Sequence, residues 1–283
     1  MKRFLNKTDL SHHLDALRAK ECRIGFVPTM GALHAGHVSL VEKGLSENEV
    51  VVVSIFVNPT QFDNPEDLEK YPRSVATDIE LLQAVDPKRI VVYTPSEADV
   101  YGDDVVSEPF DFGGLEHEME GAFRAGHFDG VGTIVKRLFE IVEPRRAYFG
   151  EKDFQQFQII KKMVANHKLP VEVIGCPIHR EEDGLAMSSR NARLTEAHRV
   201  AAPFIYETIK TAKVKFGTER AELVTEWVNL QFKNHTLLEL EYFVIADTTT
   251  LKPVEKKSLE NTYRAFIAVY AGDIRLIDNI ALN

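Results

Sequence analysis

A chain of 283 residues that is 44% hydrophobic and 27% charged is too apolar for disorder and long enough for one large core or two smaller ones. Its formal charge of −9 repels polyanions, so nucleic acid is excluded as an expected partner. The longest apolar run, residues 50–57, has strand length and contains Ser54, well short of the roughly 18 to 20 residues of a membrane span; polar Asn6, Lys7 and Asp9 stand where a secretory signal needs its apolar run. No membrane partner and a cytoplasmic location are expected, with Cys22 and Cys176 reduced and buried.

In chain order, residues 23–27, 50–57 and 89–93 are short, β-branched and flanked by turn signals, as buried parallel strands are. Helical spacing over 9–19, 37–44 and 75–84 lies between and beside them. Strands at 147–149 and 171–176, separated by a helix over 154–167, extend the alternation to about residue 178. There the pattern changes. Thr195 caps a predicted helix running to about 215, a second covers 219–234, and short strands are predicted at 240–246, 264–270 and 275–278. The chain therefore divides into an α/β domain with a parallel sheet, residues 1–178, and a smaller α+β domain, residues 179–283. Residues 179–191 are polar enough for a hinge or loop.

Charge is unevenly spread. Residues 97–120 collect acids without a Lys or Arg between Arg89 and Arg124, in a spacing that matches no calcium loop and reads as a solvated face. Cations gather at Lys136, Arg137, Arg145, Arg146, Lys152, Arg190 and Arg193, which leaves room for a local anion site.

Four segments could carry chemistry. Met30-Gly31-Ala32-Leu33-His34-Ala35-Gly36-His37 follows the first strand. It has Walker-like glycine spacing, but His37 and Val38 replace the Lys and Ser/Thr of a P-loop, and GxGxxG is absent. What remains is a glycine turn entering a helix, with His34 and His37 placed to face bound phosphates; a zinc pair lacks a third ligand. Asn58 and Gln61, near Phe56, Phe62 and Tyr71, offer amides beside an apolar wall, which suits a small hydroxy acid. Gly150-Glu151-Lys152-Asp153 puts an ammonium at a helix start, and Met187-Ser188-Ser189-Arg190 joins hydroxyls to a guanidinium. Their convergence at strand ends points to a nucleotide-using transferase or ligase.

Together PTMGALHAGH, NPTQF, YPR, FGEKDFQQ and DGLAMSSRN, in this order over most of the chain, resemble the pantothenate synthetase (pantoate–beta-alanine ligase) family. The resemblance implies a Rossmann-like N-terminal domain and a smaller C-terminal lid domain in a homodimer, an enzyme that joins (R)-pantoate to beta-alanine using ATP and Mg2+ and releasing AMP and diphosphate. It places ATP on Met30 to His37, Gly150 to Asp153, His179 and Met187 to Arg190. Pantoate falls to Gln61, Gln156 and Asn58, beta-alanine also to Gln61, and Mg2+ to Asp78. His37, His34, Lys152 and Arg190 are the expected catalytic groups. His179 departs from the aliphatic residue common at its position, so a backbone contact is implied there and no role for the imidazole. The alternatives are another HxGH nucleotidyltransferase acting on a phosphorylated acceptor, or a non-enzymatic nucleotide sensor.

Overall fold

A computed structural model of the chain describes residues 1–62 and 65–283. They fall into two compact units, Met1–Glu151 with Gln155–Pro177, and Lys152–Phe154 with Ile178–Asn283. None of the described helices is long and apolar enough to cross a membrane.

The first unit is built on six parallel strands, β1 (Lys2–Phe4), β2 (Ile24–Thr29), β3 (Val50–Ile55), β4 (Ile90–Tyr93), β5 (Arg146–Gly150) and β6 (Glu172–Cys176), in the order β1-β4-β3-β2-β5-β6. The helices are α1 (Lys7–Arg18), α2 (Ala35–Glu47), α3 (Pro65–Lys70), α4 (Val75–Val85), α5 (Glu97–Tyr101), α6 (Met119–Phe123), α7 (His127–Val142) and α8 (Phe154–Asn166). Alternate residues of the strands feed opposite faces. Val27, Val51, Val53 and Ile55 pack with Leu40, Val41 and Leu82 of α2 and α4, whereas Phe26 meets Phe139 of α7 edge-on at 6.2 Å. With both faces covered, the strands read as continuous apolar runs, which is why they were predictable. From β2 the chain winds outward through β3 and β4, then returns to place β5 on the other side of β2. The carboxyl ends of β2 and β5 thus flank the switch point where doubly wound sheets bind ligands.

The second unit carries α9 (Glu196–Ala201), α10 (Phe204–Phe216), α11 (Ala221–Lys233) and an antiparallel sheet of β7 (Glu239–Asp247), β8 (Tyr263–Ala271) and β9 (Ile274–Ala281) in sequential order. Ile205 and Ile209 of α10 and Val224 and Val228 of α11 share a core with Phe243, Ile245, Ile267 and Val269. The α/β and α+β architectures are both as expected.

Several particulars differ from the sequence expectation. The single helix over 195–215 is two, α9 and α10, interrupted at Pro203, whose missing N–H breaks the ladder. The longest helix, α7, falls where no element was predicted, because Gly130 and Gly132 lower its helix propensity. Packing compensates, and Phe128, Val131, Ile134, Val135, Leu138, Phe139 and Val142 are all buried. Of the cysteines only Cys176 is buried, and burial pushes its thiol up to about 11; Cys22 is half-buried. Of the cations gathered in the sequence, Lys136 and Arg137 pair with Glu108, Arg146 with Glu47 and Glu172, and Arg193 with Asp273.

Candidate active site

Chain reversal after β2 needs positive φ at Gly31 (84°) and Ala32 (50°), the second an unfavourable conformation for a residue with a Cβ. Asp78, on α4 and 1% exposed, holds this turn: its Oδ2 accepts from Ala32 N at 3.0 Å and its Oδ1 from Leu33 N at 2.7 Å. Thr29 closes the other side by accepting from Gly31 N at 3.2 Å and donating to Ser54 O at 2.7 Å. Each oxygen of the Asp78 carboxylate thus takes a main-chain N–H of the turn and braces it. Among the described residues no cluster of three or more His, Cys, Asp or Glu forms a cation cage. Replacing Asp78 with Asn removes one acceptor beneath the turn. Catalysis at this site is expected to fall at least about tenfold, since sub-ångström placement of the following histidines is at stake. Unchanged single-turnover kinetics at any Mg2+ concentration would contradict this role.

The turn delivers the chain into α2, whose N-cap is His34. His34 Nδ1 accepts from Gly36 N at 3.1 Å, and His37 Nδ1 accepts from His34 N at 3.3 Å, a reciprocal capping box made by two imidazoles. Because a backbone N–H can only donate, each neutral ring carries its proton on Nε2. The rings lie 4.1 Å apart, centroid to centroid, at the positive end of the helix dipole.

After β3 the turn Pro59–Gln61 presents Gln61, 9% exposed. Asn58 Nδ2 donates to Gln61 Oε1 at 3.1 Å and to Gly130 O at 3.2 Å, which orients the Gln61 amide so that its Nε2 faces Met30 Sδ at 3.0 Å. Met30, Asn58 and Gln61 therefore lie together. Phe62 and Tyr71 meet edge-on at 5.7 Å. Gly150 closes β5, Glu151 opens the short turn Glu151–Asp153, and Gln156 is half-buried on α8.

In the second unit, Lys152 is held 3.6 Å from Asp153 and is largely covered. The segment expected to be a hinge or mobile loop is instead tied to itself. Met187 N donates to His179 O at 3.0 Å, Arg180 bridges to Ala186, and Asn191 Nδ2 reaches Glu181 Oε1 at 3.0 Å. Ser188 caps the turn Ser189–Arg193 by accepting from Arg190 N at 3.3 Å. His179 is exposed.

The pantoate-beta-alanine ligase family profile matches residues 2–281. The chain belongs to this family. Curated pantothenate synthetases of Christiangramia forsetii and Flavobacterium psychrophilum are 57% and 52% identical to it, over 100% and 99% of both chains. The crystal structure of pantothenate synthetase from Thermus thermophilus superposes with a TM-score of 0.91 at 37% identity, covering 100% of this chain and 99% of that one. The pantoate-beta-alanine ligase of Francisella tularensis, solved in complex with beta-gamma ATP and beta-alanine, gives 0.80 at 38% identity, over 100% and 98%. Full-length agreement of this kind favours a ligase over another HxGH nucleotidyltransferase or a sensor.

Further residues, assigned no role in the sequence analysis, brace this region. His127 Nδ1 donates to Gln61 O at 2.7 Å, and Arg124 Nη2 donates to the same carbonyl at 3.3 Å. Tyr101, whose phenol burial pushes up, stays protonated and donates to Asn58 Oδ1. Gln155, 4% exposed, ties down residues 115–120 by donating to Leu115 O and Glu118 O and accepting from Glu120 N. Arg124, His127 and Tyr101 have no local sequence signal, because each acts on a partner distant in the chain; Gln155 lies inside the FGEKDFQQ motif, which does not show what it holds.

Proposed function

We propose that the chain joins (R)-pantoate to beta-alanine through a pantoyl-adenylate, consuming ATP and releasing diphosphate and then AMP. The observation that carries this reading is the reciprocal histidine cap, which directs two Nε2–H donors from a helix N-terminus whose dipole favours anions. In the first step a pantoate carboxylate oxygen attacks the α-phosphorus, and the bond to the bridging oxygen breaks as diphosphate departs. Charge grows on the bridging and leaving oxygens, and positioned cations and donors lower that barrier. His34, His37, Lys152 and Arg190 fill this role. ATP lies along Met30 to His37, Gly150 to Asp153 and Met187 to Arg190, with a backbone contact at His179. Mg2+ arrives as the counter-ion of the ATP phosphates, as part of the substrate.

Gln61 and Gln156 orient pantoate for in-line attack. Asn58, 1% exposed and committed to Gln61 and Gly130, acts on pantoate through Gln61. In the second step the neutral amine of beta-alanine, placed beside Gln61, attacks the acyl carbon; the C–O bond to AMP breaks, and the amine gives up its proton to the departing AMP phosphate. Exclusion of water protects the mixed anhydride meanwhile, the work assigned to residues 179–283 as a lid over the catalytic domain, residues 1–178. The free cysteines fit a cytoplasmic enzyme, and the family resemblance supports a homodimer.

The deciding assay follows diphosphate and AMP separately. Diphosphate release is expected to require pantoate but not beta-alanine, and AMP release to require both. In Gln156→Ala the pantoate concentration for half-saturation is expected to rise at least about tenfold with ATP saturation unchanged, the cost of one charge-assisted hydrogen bond of about 1.5 to 3 kcal/mol. Diphosphate release without pantoate, or unchanged pantoate saturation in the variant, would overturn the reading.

A further inference from the structure

We propose that two adjacent residues of β9, Asp278 and Asn279, form a shared anchor that fixes Lys152 and the Met187–Arg190 segment to one rigid support. They are positioning residues, distant from the motifs in sequence. The inference rests on the reading that Lys152 and Met187 to Arg190 hold the ATP phosphates.

Asn279 is 1% exposed and engaged on every polar group. Its Nδ2 donates to Lys152 O at 2.8 Å, its Oδ1 accepts from Arg264 Nη1, and its main-chain N donates to Asp278 Oδ1 at 2.7 Å. Its carbonyl accepts from Arg180 Nη2 at 3.4 Å. Arg264 in turn lies over the Phe154 ring at 4.2 Å, and Phe154 meets Phe266 of β8 at 5.9 Å. Residues 152–154 are therefore gripped twice by the C-terminal sheet, through a main-chain carbonyl and through an aromatic ring. This accounts for their membership of the C-terminal unit although Glu151 and Gln155 belong to the other.

Asp278 performs the matching task for the second segment. Its carboxylate takes both Arg180 Nη1 at 2.6 Å and Nη2 at 2.8 Å, a bidentate pair that fixes direction as well as distance. Arg180 Nη1 also donates to Gly184 O at 3.1 Å, and the guanidinium stacks on Tyr206 at 3.8 Å. Gly184, at φ 91°, must be glycine on two counts, since a Cβ there would also meet Tyr206 Cδ1 at 2.4 Å. The loop that ends in Met187–Arg190 thus takes its shape from Arg180, and Arg180 takes its place from Asp278. Apolar packing would serve stability as well as a buried ion pair does. Directional bonds on neighbouring residues of one strand do something packing does not: they set the spacing between an ammonium and a guanidinium that share one triphosphate.

The test is kinetic. Asn279→Ala is expected to raise the KM for ATP and to lower single-turnover diphosphate release, each by about ten- to hundredfold as misplacement of catalytic groups does, with the KM for pantoate unchanged. Arg264→Lys, which keeps the charge but loses the planar fork, is expected to shift the same two quantities by a smaller factor, and it decides the matter should Asn279→Ala not fold. Val228→Ala, a cavity in α11 of the same unit, controls for lost stability: its melting temperature should fall with the kinetic constants within about twofold. In a Lys152→Ala background the Asn279→Ala effect should shrink. Unchanged ATP kinetics in both Asn279→Ala and Arg264→Lys, or losses matched by Val228→Ala, would overturn the anchor. Normal ATP kinetics in Lys152→Ala would instead sink the reading of the ATP site on which it rests.

Discussion

Lys152→Ala and His37→Ala are each expected to slow pantoyl-adenylate formation by about 10²- to 10³-fold, the usual cost of deleting one donor aimed at charge that develops in a transition state. The two variants separate by what else they disturb. Lys152 is an ammonium beside Asp153, and its main-chain carbonyl, not its side chain, carries the bond from Asn279; truncation leaves that bond in place. His37 is also a structural group, since its Nδ1 takes the His34 N–H at the start of α2. His37→Ala should therefore lose roughly 0.5 to 2 kcal/mol of stability as well, the range for a lost helix cap. His37→Gln resolves the ambiguity. Glutamine at the third helical position can accept the N-cap N–H as capping boxes normally do, so stability should return while the adenylation rate does not. Quenched-flow measurement of diphosphate in a single turnover, beside thermal melts of all three variants, checks both halves. A His37→Gln enzyme with wild-type rate would remove His37 from the chemistry.

Gly130→Ala is expected to destabilise the protein by about 1 to 3 kcal/mol, as overpacking does, and to raise the KM for pantoate. Helix propensity alone predicts the opposite sign, a gain of up to about 1 kcal/mol within α7. The conflict is decided by what a Cβ would meet: Thr60 O at 2.3 Å, Thr60 C at 2.6 Å and Gln61 N at 2.7 Å, all main-chain atoms that no rotamer change can move. Helix and turn must separate, which pulls Gly130 O from Asn58 Nδ2 and loosens the orientation of Gln61. Urea unfolding gives the stability change and pantoate saturation the binding change. A variant more stable than the parent would show that the contact between α7 and the Pro59–Gln61 turn is not close-packed.

What could be read without coordinates was whatever repeats or clusters locally. Residues 50–57 announce a buried strand because β-branched side chains follow one another there, and the turn after β2 announces itself by glycines and two histidines within a few positions. The edge strand β1 was missed because three residues starting Lys2-Arg3 carry no apolar pattern; its order comes from pairing with β4, Lys2 opposite Val91. Asp78 illustrates the same limit at the site. The resemblance alone attached Mg2+ to it, and only the packing of α4 under the glycine turn shows that its oxygens accept from Ala32 and Leu33.

The sequence by itself determined the two architectures, every strand but β1 in its order along the chain, and the motifs that name the family, since each depends on residues within a few positions of one another. Tertiary structure alone decided which way each functional group points: His127 on Gln61, Asp78 on the turn, Asn279 on Lys152. Those bonds join residues 45 to 127 positions apart. Their energy depends on hydrogen-bond geometry at about 3 Å, and no local pattern encodes a distance that only the packed core enforces.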